Sequence, residues 1–339
     1  MLSGNTLLIK EVNKNLVRES LKLLRQATKQ ELAVKTGLSV VTVNSLLTDM
    51  IKEGEVFEGE MVPSNGGRPS LRYHYNVNFS HGIVVFGHQK DNKNCIHLAV
   101  VDLSGEVVYS EETFIDDIHT DSFEEMIDRG IKKVESVSII GFGLPGEEEE
   151  GIVTINDYSR LIGEEFMSYY KGKYKVPVIF VNDVNAAVNG YYHYKAAGGI
   201  RNVAGVYFPR LYNAGAGLIL NGEVYTGYKS FAGEIGTMPL GIDWTKLNYG
   251  SREEIAENIG KLVASFACVI APEQFVLYGD FFKDGDAIRI KEHVRTLLNG
   301  KFDAYVVVSE QFEEDFEQGM IRFILEQSGN KYILSRKGL

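Results

Sequence analysis

The order of sequence patterns beyond residue 80 repeats itself, and that repeat limits the possible folds more than any other feature. Alternating or continuous apolar runs predict strands at 82–88 (GIVVFGH), 96–103 (IHLAVVDL) and 106–114 (EVVYSEETF). A helix at 122–135 follows, opened by the capping-box pattern Ser122-x-x-Glu125, then a strand at 136–142, a helix near 160–173, a strand at 177–182 and a helix at 183–194. The same order returns from 203, with strands at 203–208, 216–222 and 223–227, a helix at 251–270, a strand at 274–279, a helix near 286–299, a strand at 303–309 and a last helix at 313–327. Both halves read βββαβαβα, about 120 residues apart. Strands joined by short turns pair antiparallel, whereas strands separated by a helix cross over and pair parallel. Each half therefore predicts a mixed sheet with helices on its faces, an α/β class, and two such lobes leave a cleft between them.

The first 76 residues follow different rules. NKNLVRESLKLLRQA carries Leu16, Leu21, Leu23 and Leu24 on a helical stripe. Thr28 and Glu31 form a capping box opening a second helix that Gly37 stops, and Ser39 is the N-cap of a third helix closed by Gly54. Helix, short Gly-containing turn, helix is the helix-turn-helix arrangement. VFEGEMV and LRYHYNV then flank the turn PSNGGRPS, a hairpin signal that completes a winged helix. The predicted boundaries are 1–76 for this module, 77–197 for the first lobe and 198–339 for the second, whose last helix is free to return to the first lobe.

The 339 residues carry a net charge of −11, which taken whole argues against nucleic acid. Its distribution reverses the argument, because residues 1–52 hold 8 Lys and Arg against 4 Asp and Glu. In the third helix Leu38, Val43, Leu47 and Met50 face the core, which leaves Ser39, Val40, Thr42, Asn44 and Ser45 near the end that enters a major groove. Asn suits adenine, Val and the Thr methyl suit thymine, and no Arg is present there for guanine. Lys29, Lys35 and Lys52 are placed for phosphates, and Arg68 at the wing tip suits an A·T-rich minor groove. The expected partner is a double-stranded, palindromic, A/T-biased operator, bound by a homodimer or higher oligomer.

No apolar run reaches the roughly 18–20 residues that span a bilayer, and no signal peptide is legible, so the expected location is cytoplasmic, without a membrane partner. Cys95, Cys268 and seven scattered histidines offer no disulfide framework and no local metal motif. Gly141-Phe-Gly-Leu-Pro-Gly146 has the spacing of a dinucleotide fingerprint, but Pro145 and EEEEG lead into the strand-like IVTIN where that fingerprint requires a helix. The run 147–150 reads first as a solvated acidic loop and second as a cation site.

The helix pair followed by GGRP at 66–69, the duplicated lobes, GLPG at 143–146, NDVNAA at 182–187, NGEVYTG at 221–227, FAGEIGTMPLG at 231–241 and APEQFVLYG at 271–279 together resemble the ROK family of repressors and sugar kinases. The resemblance implies a two-lobed, actin-like ATPase body of the RNase H-like kind, carrying an N-terminal winged helix. It also implies a carbohydrate effector in the inter-lobe cleft, contacted by Asn182, Asp183 and Glu234 with Gly146 lining the pocket. In the family's kinases the Asp of the Asn-Asp pair is the general base, so Asp183 is the catalytic candidate if the chain is a sugar kinase. Other family features are missing. The first phosphate turn is replaced by Phe86-Gly-His-Gln-Lys-Asp91, the second glycine loop keeps only Gly215 and Gly217, and the adenosine-side Gly-Gly is Tyr278-Gly279. Thr237 stands at the family's zinc-binding His, with no Cys between 241 and 252. The expectation is a non-enzymatic, sugar-sensing transcriptional repressor of carbohydrate metabolism, without ATP or zinc.

Overall fold

The structure, a computed structural model, describes residues 4–63, 69–90, 93–209 and 212–328. The N-terminal module consists of α1 (Gly4–Leu24), β1 (Gln26–Thr28), α2 (Lys29–Thr36), α3 (Val40–Glu53), β2 (Val56–Val62) and β3 (Ser70–Tyr75). Its turns form as the local residues dictate. The Thr28 hydroxyl accepts from Glu31 N–H while Glu31 accepts from Thr28 N–H at 2.7 Å, and Gly37 (φ 72°) and Gly54 (φ 83°) end α2 and α3 in the left-handed region. Two expectations fail here. Leu16, Leu23 and Leu24 are exposed, and the buried face of α1 comprises Lys14, Asn15, Val17, Ser20 and Leu21, with Lys14 and Arg18 in ion pairs with Glu53 and Glu55. The short β1 joins the sheet in the order β1-β3-β2; three residues between two helices show no alternation to read.

The first lobe comprises β4 (His81–Lys90), β5 (Lys93–Asp102), β6 (Val107–Phe114), α4 (Glu124–Ile131), β7 (Val137–Leu144), β8 (Gly146–Glu149), β9 (Ile152–Asn156), α5 (Phe166–Tyr174), β10 (Val178–Asn182) and α6 (Asp183–Tyr194). The second comprises β11 (Val203–Tyr207), β12 (Gly215–Leu220), β13 (Glu223–Val224), α7 (Arg252–Val269), β14 (Gln274–Tyr278), α8 (Asp286–Leu297), β15 (Val306–Ser309) and α9 (Phe312–Ser328). Their sheets run β10-β7-β4-β5-β6 and β13-β12-β11-β14-β15. In both, the first strand is central, its meander partners lie antiparallel on one side and the crossover strands parallel on the other, as the repeat predicts. Ser122 does not open α4; its hydroxyl accepts from His119 N–H at 2.8 Å and caps a 3-10 turn at 120–123.

Each sheet has one outer core, under α4 and α5 or under α7 and α8, and the two inner faces share a third core built around α6 and α9. The lobes exchange these helices: α6 packs on β11 and β12, and α9 packs on β4 and β7. The two helices cross backbone to backbone, since a Cβ on Gly190 would stand 2.0 Å from Asp315 O and one on Gly319 1.8 Å from Ala186 O. At the same crossing the buried Asp315 is paired with Lys195 at 2.7 Å and accepts from Tyr278 O–H at 2.8 Å. The N-terminal module is seated on the first lobe. Leu103, at the turn after β5, enters the module's core, and its N–H donates to Val77 O at 2.9 Å.

Candidate functional site

Two regions hold the residues singled out by sequence. In the N-terminal module α3 buries Val43, Leu46, Leu47 and Met50, which leaves Val40, Asn44 and Ser45 exposed on one face; Leu38 is only half-buried. Val41, which the sequence reading left out, is 80% exposed on the same end. Ser39 and Thr42 are committed to the cap: the Ser39 hydroxyl accepts from Thr42 N–H at 3.1 Å, and the two hydroxyls lie 2.8 Å apart. Lys29 stands over the Tyr73 ring at 5.4 Å, while Lys35 and Lys52 are exposed. Lys10, Lys14, Arg18 and Lys22 are paired within the module, to Asp49, to Glu53 and Glu55, to Glu55, and to Glu19. Much of the excess positive charge is therefore consumed by the fold. Arg68 lies outside the described residues.

The second region lies between the lobes, at the ends of β7 and β10. Asn182 is the N-cap of α6: its Oδ1 accepts from Asn185 N–H at 3.0 Å and its Nδ2 donates to Gly146 O at 3.2 Å. Both ends of this amide therefore serve to hold the GLPG turn against the helix. Gly146 has φ 129° and a Cβ there would stand 2.0 Å from Ile155 O, so only glycine lets β8 turn beneath the cleft. Asp183 follows as the first residue of α6 and is buried. Burial pushes its carboxyl up to about 7, helped by the charges of Asp157 and Glu234 and opposed by backbone N–H bonds.

The structure adds two carboxylates. The run 147–150 is not a solvated loop: Glu147–Glu149 form β8, hairpinned to β9 through the turn Glu150-Gly151, both at positive φ. Glu147 is 8% exposed. Burial, then the charges of Glu234, Asp183 and Glu148, raise its carboxyl to about 8, against a hydrogen bond from Ser230. Asp157 keeps a solvent-exposed face but is inset in the cleft wall, and this with the charge of Glu234 raises it to about 6. Glu234 is half-buried and raised by that burial. The sequence carried little signal for Glu147, since two-residue hairpin turns favour Asn-Gly or Asp-Gly and here Glu150 takes the first positive-φ position. A strap from the second lobe closes over β8, Lys229 pairing with Glu149 at 2.7 Å. Lys229 and Ser230 both sit at positive φ. Beside the carboxylates opens a cavity of about 360 Å³ lined by Glu147, Asn182, Asn185, Val224, Thr226 and Ser230 among others.

The stretches that the resemblance sets against the family's phosphate and adenosine motifs are placed as follows. Phe86–Lys90 pairs with β5 as far as Lys90 opposite Lys93, Gly215 and Gly217 lie within β12, and Tyr278 is buried with its hydroxyl on Asp315. Thr237 is exposed and bonds Glu234 O, and among the described residues no group of three or more His, Cys, Asp or Glu is arranged to hold a metal.

A family model described as the ROK family matches residues 93–248. This chain carries a ROK family domain. Among similar proteins, the xylose repressor of Bacillus subtilis (strain 168) is 28% identical over 257 residues, 72% of this chain and 64% of that protein. The DNA-binding transcriptional dual regulator NagC of Escherichia coli (strain K12) is 22% identical over 268 residues, 75% of this chain and 64% of that protein. The chain thus spans less than two thirds of the curated relatives it matches. A solved ROK family transcriptional regulator, a homologue of the E. coli MLC protein, superimposes with a TM-score of 0.65 at 15% identity, covering 94% of this chain and 99% of the other. A ROK family glucokinase from Streptomyces griseus, in complex with glucose and AMPPNP, gives 0.55 at 16% identity over 72% of this chain and 99% of the other. These likenesses show the two-lobed ATPase-like fold of the body.

Proposed function

We propose that the chain is a sequence-specific DNA-binding transcriptional repressor that senses a small carbohydrate in the inter-lobe cleft. The observation that carries this reading is the seating of a complete helix-turn-helix, with Val40, Val41, Asn44 and Ser45 exposed, directly on a ROK body through Leu103. The repressor names of the ROK relatives support it. Asn44 and the valines read an A/T-biased half-site, and a homodimer places two such helices on a palindrome about 34 Å apart. The effector shifts the balance between lobe arrangements by its differential affinity for them, and Leu103 passes the change to the module. Among the described residues no helix is long and apolar enough to cross a membrane, in keeping with action on cytoplasmic DNA.

Selection of bound duplexes from a random pool tests the DNA half. An A/T-biased palindrome that loses about 1–3 kcal/mol of affinity with Asn44→Ala is expected, and G/C-rich half-sites reject it. Release or tightening of that complex by one sugar of a panel tests the sensing half.

A second reading, an ATP-dependent hexose kinase, draws on Asp183. A carboxyl near 7 is well matched to a general base at neutral pH. Against it stand the strand pairing of Phe86–Lys90 and the buried Tyr278 where phosphate and adenosine contacts are needed. ADP release with a sugar panel, abolished by Asp183→Asn, decides for the kinase.

A further inference from the structure

Buried carboxylates elsewhere in the described molecule are matched. Glu55 has Arg18 and Lys14, Asp286 has Arg252 and Arg289, Asp315 has Lys195, and Asp102 accepts from Ser104 N–H, Ser104 O–H and Glu106 N–H. The cleft breaks this pattern. Glu147 faces Glu234, Asp183, Glu148 and Ser230; Asp183 faces Asp157, Glu234 and backbone N–H groups; Asp157 faces Glu234. Among the described residues none of these neighbours is a cation, and Lys229 on the strap is held by Glu149. Like charges crowded around the buried Glu147 and Asp183 repel strongly, while Asp157 reaches solvent and Glu234 is half-buried.

Two buried polar atoms next to these carboxylates, in the cavity wall and in the chain, have no partner. Asn185 is 3% exposed and lines the cavity together with Glu147, and its Oδ1 has no partner. Asn156, also buried, precedes Asp157, and its Nδ2 has no partner either. A buried acceptor and a buried donor left open each cost stability unless a ligand completes them.

We propose that the inter-lobe cleft selects a cationic polyol, an amino sugar with a free protonated amine, over the neutral sugar of the same skeleton. The inference rests on the reading of the cleft as a carbohydrate site and narrows its ligand class. The ammonium supplies the positive charge that the carboxylates lack, and a hydroxyl donates to Asn185 Oδ1 in the cavity wall. Binding draws the carboxyls toward their ionised forms, so protons leave as the amine enters.

Calorimetric titration of the full chain at pH 7 with D-glucosamine and D-glucose, D-galactosamine and D-galactose, and D-mannosamine and D-mannose tests this, each pair in two buffers of different ionisation heat. At least one amine is expected to bind about tenfold or more tightly than its neutral partner, with net proton release. The variant carrying both Glu147→Gln and Asp157→Asn is expected to lose most of that preference while still binding. A neutral sugar that binds as tightly as its amine, or a preference that survives the double variant, overturns the proposal and leaves the carbohydrate reading standing. Failure of all six sugars to bind overturns both.

Discussion

Glu55 and Glu147 are both buried carboxylates, 1% and 8% exposed, in opposite surroundings. Glu55 sits between Arg18 and Lys14 and joins α1 to the base of the β2–β3 wing. Glu147 sits among other acids, and its carboxyl rises to about 8. The module spends its charge on holding three short helices and a hairpin together, as a small domain with a limited core must. The cleft holds charge that opposes folding, and such a cost persists where the site has another use.

The largest expected effect breaks the first half of that contrast. Glu55→Ala leaves Arg18 and Lys14 without their buried partner and should cost the module about 3–5 kcal/mol. Denaturant unfolding followed by hydrogen exchange in α1 and α3 measures it. A loss confined to a few tenths of a kcal/mol makes the ion pair ornamental.

The same kind of change in the cleft should have the opposite sign. Between its ordinary value of 4.5 and about 8 the folded Glu147 keeps a proton that the unfolded chain gives up, and Asp183 does so between 3.8 and about 7. The folded state binds more protons across that window, so stability falls as pH rises through it. Glu147→Gln cannot ionise; at pH 8 it should be more stable than the parent by about 2 kcal/mol, allowing for partial solvent relaxation, with the difference vanishing near pH 4. Melting curves at both pH values check it, and a variant less stable at pH 8 refutes the crowding of the carboxylates.

The two regions also differ in how far they were legible in sequence. The caps Thr28, Gly37, Ser39 and Gly54 act within a few residues, so the ends of α2 and α3 follow from neighbours alone. The apolar face of α1 was misread because burial of Lys14 depends on Glu53 and Glu55, distant in the chain and brought close only by the fold. The lobes were legible because the strand-and-helix order repeats. In the cleft, Asn182, Asp183 and Glu234 came through family resemblance. Glu147 and Asp157 were not found, since a run of four acids reads as a surface until the hairpin that buries one of them is recognised.

A smaller effect sharpens the cap. Ser39→Ala removes the acceptor for Thr42 N–H and should cost about 1 kcal/mol of stability, with operator affinity falling as the first turn of α3 frays. An unchanged melting temperature means that water serves the Thr42 N–H as well as the Ser39 hydroxyl does.

The smallest effect separates two lysines of equal charge. Lys35 is exposed at the end of α2, whereas Lys10 is held by Asp49 at 2.6 Å on α1. A lysine that neutralises a phosphate releases a counterion and contributes about one unit to the slope of log affinity against log salt, and a lysine already paired within the protein contributes little. Lys35→Ala should lower the slope by about one unit and weaken all duplexes uniformly, while Lys10→Ala should leave the slope in place. Equal slopes for the two variants mean that the module approaches DNA through α1 and not through the turn between α2 and α3.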